Sequence, residues 1–148
     1  MRFQLAVCVL IAAFVTSGVS SCLQTGGQRR AALRGAAKSL LPPQAHIRAL
    51  GFGDCVELAS SPSCAGVVFE LPQHDSALRA KLVRATAEAN GWTVTHSDDV
   101  PGGWSLFLRR SGFTAYVALW RPEVYGLRCD GAHPKDECFN TINLSRSG

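Results

Sequence analysis

Catalytic motifs are missing from this chain. It contains no Gly-x-Ser-x-Gly elbow, no His-Glu-x-x-His, no Walker A loop and no EF-hand loop, so nothing in the local sequence points to a nucleophile elbow, a zincin helix, a phosphate cradle or a calcium site. Closely spaced cysteine pairs are also absent. The two repeated spacings, Cys55 to Cys64 and Cys129 to Cys138, leave eight residues between thiols, whereas zinc knuckles usually need about two to four. No metal and no cofactor is expected. Beyond residue 22 no stretch is long and apolar enough to span a bilayer, which takes roughly 20 residues. Acidic residues are absent between positions 23 and 48, where Arg29, Arg30, Arg34, Lys38 and Arg48 give a local charge of +5. Residues 49 to 148 carry nine Lys/Arg against eleven Asp/Glu. The overall +4 therefore belongs to the N-terminal segment and not to a basic globular face, which argues against a nucleic-acid-binding domain.

What is present begins with an export signal. Met1 and Arg2 are followed by eleven uncharged residues, Leu5 to Val15, and then by mostly small residues up to Ser21, the pattern of a secretory signal peptide over 1–21. The apolar stretch from Phe3 to Val15 is too short for a lasting transmembrane helix. Val19-Ser20-Ser21-Cys22 resembles the lipobox of bacterial lipoproteins, in which an aliphatic residue and two small ones precede a modified cysteine. The resemblance covers about the first 22 residues and names a processing route. It implies diacylglyceryl transfer to the Cys22 sulfur and cleavage before it, so that the chain is exported and lipid-anchored to the cell membrane or another envelope membrane of a bacterium. Cysteine parity agrees: once Cys8 leaves with the signal and Cys22 is acylated, Cys55, Cys64, Cys129 and Cys138 remain to pair in an oxidising space. A soluble secreted form would keep an odd thiol. Two acyl chains hold a protein at a membrane where one is marginal.

The remaining 127 residues amount to one domain. Residues 22–28, with two glycines, read as the lipidated cysteine and a flexible tether. Residues 29–41 read as a basic amphipathic helix: Arg30, Arg34 and Lys38 recur every four residues while Leu33, Ala36, Ala37, Leu40 and Leu41 take the other side. Pro42-Pro43 ends it. Its basic stripe is either a solvated face on a helix packed against the domain, the preferred reading, or a contact with anionic lipid. The domain proper, 50–148, starts with two strands, "GDCVEL" and "CAGVVFELP". A Cys55 to Cys64 bridge between them would close ten residues and stabilise by roughly 2 to 3 kcal/mol. Residues 75 to 91 give a helix with a seam at Leu78, Leu82, Ala85 and Ala89, capped by Asp75 or Ser76 and stopped by Asn90-Gly91. In "WTVTH" strict alternation puts Trp92, Val94 and His96 on one face.

The segment "WSLFLRRSGFTAYVALW" predicts a hairpin. A two-residue Ser111-Gly112 turn sets Phe107 opposite Tyr116, Leu106 opposite Val117 and Trp104 opposite Leu119. One face is then apolar and suited to the helix seam. The other carries Phe107, Tyr116 and Trp120, a candidate binding face if it stays open. The expected cover is the chain itself: residues 121–148 hold Val124, Tyr125, Leu127, Phe139, Ile142 and Leu144 within reach of a Cys129 to Cys138 clip, and the N-terminal helix is the other candidate. Among the histidines, His96 with Asp98 or Asp99 is the one pairing able to act in acid-base chemistry, and an ordinary strand end explains it equally well.

The fold class expected is α+β: a two-layer domain with an antiparallel sheet of about five strands in the order β-β-α-β-β-β, one packed helix and the basic N-terminal helix. The function expected is a non-enzymatic binding or scaffolding lipoprotein whose partners are the membrane and an envelope protein or ligand. The alternatives are a secreted inhibitor or effector working through disulfide-closed loops near Pro62 and His133-Pro134, and an enzyme using His96 with Asp98 or Asp99.

Overall fold

A computed structural model describes residues 26–53, 64–121 and 139–146. Six antiparallel strands form one sheet. In chain order the elements are α1 (Gly26–Lys38), β1 (His46–Gly53), β2 (Cys64–Glu70), α2 (Ser76–Ala89), β3 (Thr93–Val100), β4 (Gly103–Arg110), β5 (Phe113–Trp120) and β6 (Asn140–Arg146), and the sheet order is β1-β2-β6-β5-β4-β3. The α+β class holds with the two expected helices, but among the described residues the sheet has six strands, not about five.

The extra strand is β6. Residues 140–146 were expected to lie across the sheet, and instead they enter its middle, with Ile142 opposite both Val67 and Val117 and Leu144 opposite Ala65 and Ala115. The signal was present as alternation: Ile142 and Leu144 are buried, while Thr141, Asn143 and Ser145 point the other way. The first described strand was not among those expected. It occupies His46–Gly53, ahead of the expected "GDCVEL", whose residues after Gly53 lie outside the described residues.

Both helices cover the same face of the sheet. Helix α1 lies over β2 and β6, and α2 lies over β3, β4 and β5. Leu33, Ala36, Ala37 and Leu40 from the α1 region join Val83 and Ala87 of α2 in a single core with Val67, Phe69, Leu106, Leu108, Val117, Ile142 and Leu144. Helix α1 buries its expected side but begins at Gly26, inside the segment read as tether. Helix α2 does not bury its expected seam. Leu78 is 46% exposed and Ala85 and Ala89 are exposed, whereas Ser76, Arg79, Ala80, Val83 and Ala87 face inward. The helix is rotated because Arg79 finds buried acceptors: its Nη1 donates to Asn140 Oδ1 at 3.0 Å and its Nη2 to the Trp120 carbonyl at 2.6 Å.

The Ser39 hydroxyl ties the two helical halves together. It donates to the Ala36 carbonyl at 2.7 Å and accepts from Trp92 Nε1 and Arg110 Nη1, each at 2.9 Å. The Arg110 guanidinium also lies over the Trp92 ring, 4.8 Å from its centroid. At the start of α2, Asp75 Oδ1 accepts from the amides of Ala77 at 2.7 Å and Leu78 at 3.1 Å. Asp75→Ala is expected to cost about 1 kcal/mol, as for other lost N-caps, and Asp75→Asn only a few tenths. Urea unfolding midpoints of the two variants check this.

Candidate functional site: the open face of the sheet

The β4–β5 hairpin has the register that its turn and alternation predict: Phe107 opposite Tyr116, Leu106 opposite Val117, Trp104 opposite Leu119, and Arg110 opposite Phe113. Gly112 takes a φ of +76° in the turn. Since both helices lie on the Leu106 and Val117 side, Phe107, Tyr116 and Trp120 fall on the helix-free side. Phe107 is 41% and Trp120 36% exposed, and Tyr116 is half-buried. The expectation that α1 or the C-terminal segment would close this face is not met by α1, which is on the other side, nor by β6, which is in the sheet. Residues 122–138 lie outside the described residues.

His96 belongs to this face as well, contrary to simple alternation along "WTVTH". The register of β3 against β4 shifts between Val94, opposite Leu108, and His96, opposite Phe107. Thr95 is the extra residue of a bulge, and its hydroxyl donates to the Phe107 carbonyl at 3.1 Å. Trp92 and Val94 therefore pack inward, and His96 is turned out beside Phe107. The ring centroids are 5.9 Å apart for His96 and Phe107 and 4.8 Å for Phe107 and Tyr116, both pairs tilted by 49°. Continuing across the sheet, Tyr116 is opposite Asn143, Asn143 opposite Gly66, and Gly66 opposite Gly51. One row thus runs from three stacked rings to an amide and then to two glycines.

Shallow depressions flank this row. One, of about 330 Å³, is lined by Val100, Pro101, Gly103, Ser105, Ala118 and Trp120. The other, of about 300 Å³, lies at the glycine end beside Cys64 and Asn143. Cys64 is disulfide-bonded. Cys22, Cys55, Cys129 and Cys138 all lie outside the described residues, as do the loops around Pro62 and His133 on which an inhibitor reading depends.

The acid-base candidates separate cleanly. Asp98 is the carboxylate that pairs with His96, Oδ2 to Nε2 at 2.8 Å. Asp99 is instead engaged by Arg121 Nη2 at 2.7 Å, and Arg121 Nε donates to Ser76 Oγ at 2.5 Å, so Asp99 serves to fasten β3 to the start of α2. The His96 and Asp98 side chains are 62% and 43% exposed, and among the described residues no hydroxyl or thiol is hydrogen-bonded to His96. The pair therefore lies open to water at the end of the aromatic row, with the His96 ring held beside Phe107. Among the described residues no group of three or more metal-binding side chains comes together, and no helix is long and apolar enough to cross a membrane.

The fold and the site define a two-layer α+β domain with one face sealed by helices and an aromatic row on the other. No family model matches the chain, and no curated protein or solved structure matches it.

Proposed function

We propose that this chain is a lipoprotein of the bacterial envelope, tied to a membrane through Cys22, that presents a small non-enzymatic binding module. The open sheet face, centred on Phe107, Tyr116 and Trp120, engages a protein or envelope ligand. The observation that carries this reading is the row of His96, Phe107 and Tyr116 with Trp120 nearby, large rings left accessible on a rigid sheet. Interaction surfaces concentrate their binding energy in such aromatic anchors. The disulfide at Cys64 is in keeping with an oxidising compartment.

Two measurements test the proposal. Intact mass of the protein extracted from its own membranes should show Cys22 carrying diacylglycerol, and an unmodified Cys22 removes the anchor. Phe107→Ala and Trp120→Ala should each leave the free energy of unfolding within about 1 kcal/mol of the parent, because the lost contacts are partly solvated. Each should weaken crosslinking to the partner recovered from those membranes about tenfold or more. Folded variants that keep the same partner at parental yield would move binding away from this face.

A further inference from the structure

The two layers of the domain differ in charge as well as in shape. Helices α1 and α2 carry one carboxylate between them, Glu88, and it is already paired with Arg84 at 2.9 Å. Against it stand Arg30, Arg34, Lys38, Lys81 and Arg84, all exposed on the outside of the helical layer. Arg30, Arg34 and Lys38 recur every four residues along α1 and meet no carboxylate among the described residues. Arg34 instead lies over the Phe52 ring, 5.7 Å from its centroid. On the opposite, aromatic face Glu70 is paired with Arg48 at 2.6 Å and Asp98 stands with the exposed Arg109, so that side carries no comparable excess of positive charge. The exposed Leu78 adds an apolar side chain to the helical side.

Chain length adds a second constraint. Helix α1 begins at Gly26, so at most four residue steps, about 14 Å of extended chain, separate Cys22 from its first turn. A domain held that closely cannot drift far from the surface that holds Cys22, and its basic helix stays within reach of the headgroups.

We infer that the helical layer, led by Arg30, Arg34 and Lys38, seats on anionic phospholipid of the membrane that carries the anchor, so that the aromatic face points away from the bilayer. This rests on the anchored reading above. Each basic side chain held at an anionic surface favours that arrangement about fivefold, so the three on α1 bias the orientation about a hundredfold at low salt. The packing of α1 supplies the rigidity: its apolar side is locked into the core, and the stripe cannot rotate away.

The test uses the protein extracted from its membranes and reconstituted into vesicles of phosphatidylcholine, alone or mixed with phosphatidylglycerol. Diethyl pyrocarbonate modifies both lysine amines and histidine imidazoles, and peptide mass spectrometry reads each site. Lys38 should react about tenfold more slowly or less in the anionic vesicles, and the difference should vanish in roughly 1 M salt, where the Debye length is about 3 Å. His96, on the opposite face, should react equally in both. Arg30→Glu/Arg34→Glu, which changes two exposed side chains, should abolish the protection of Lys38. Equal Lys38 reactivity in the two vesicles, or protection of His96 instead, overturns the proposal. Failure of the anchor is read separately, as an unmodified Cys22 and loss of the protein from neutral vesicles. In that event cosedimentation with the anionic vesicles at low salt decides: binding that the double variant loses supports the seat, and no binding overturns it.

Discussion

Gly103→Ala should destabilise this domain by about 3 kcal/mol or more, a large share of the roughly 5–15 kcal/mol that holds a domain folded. Gly103 opens β4 with a φ of +147° and stands opposite Trp120 of β5. A Cβ at this position would lie 2.1 Å from the Leu119 carbonyl oxygen, 2.9 Å from its carbon and 3.0 Å from the Trp120 Cα. All three are backbone atoms of a paired strand, so no side-chain rotation relieves the overlap. The two strands must part, or the residue must leave a conformation that L side chains rarely adopt. The substitution also disturbs the depression beside Trp120, and it should weaken partner binding in whatever fraction stays folded. Gly66→Ala is the control. A Cβ there meets nothing within 4 Å, and the change should stay within about 1 kcal/mol of the parent, with a slight gain from the stiffer unfolded chain. Urea midpoints of the three proteins decide the matter. Equal midpoints for Gly103→Ala and Gly66→Ala would mean that β4 and β5 do not approach so closely.

Features set by neighbours in sequence were legible, and features set by distant partners were not. The β4–β5 register follows from a two-residue turn and unbroken alternation on both sides, both local. The buried side of α1 follows from leucine and alanine opposing a basic residue every fourth position. In α2 the same reasoning fails, because Leu78 looks more suited to a core than Arg79. Arg79 goes inside because its acceptors, Asn140 and the Trp120 carbonyl, lie 61 and 41 residues away in the chain. The face of His96 is hidden for a different reason: one extra residue at Thr95 reverses the alternation, and nothing in "WTVTH" marks a bulge. The candidate site shows the same division. Phe107 and Tyr116 are paired by the hairpin alone, whereas the addition of His96 to their stack depends on the bulge, and the openness of the face depends on β6 entering the sheet beside β5 instead of crossing over it.

Arg79 and Asn140 should prove strongly coupled. Asn140 is 2% and Arg79 7% exposed. The Asn140 amide accepts from Arg79 through Oδ1 and donates from Nδ2 to the Phe69 carbonyl at 3.3 Å. A continuous polar path thus links β2, β6, α2 and β5 across the core. Asn140→Ala removes a buried acceptor from a guanidinium that is always charged, and leaves the Phe69 carbonyl without this donor. A loss of about 2–4 kcal/mol is expected, since hydrogen bonds to charged groups contribute about 1.5–3 kcal/mol and an orphaned buried group adds its desolvation cost. Arg79→Ala should cost a similar amount, through the bared Trp120 carbonyl and the lost packing of the side-chain stem. The double variant should be less damaged than the sum of the singles by about 1–2 kcal/mol, because removing one partner has already forfeited the shared bond. Arg79→Lys separates geometry from charge. A single ammonium has difficulty reaching both the Asn140 amide and the Trp120 carbonyl as the planar fork does, so most of the loss should persist despite the retained charge. Strict additivity of Arg79→Ala and Asn140→Ala in denaturant unfolding would show that the contact between them contributes nothing, and the rotation of α2 would then need another cause.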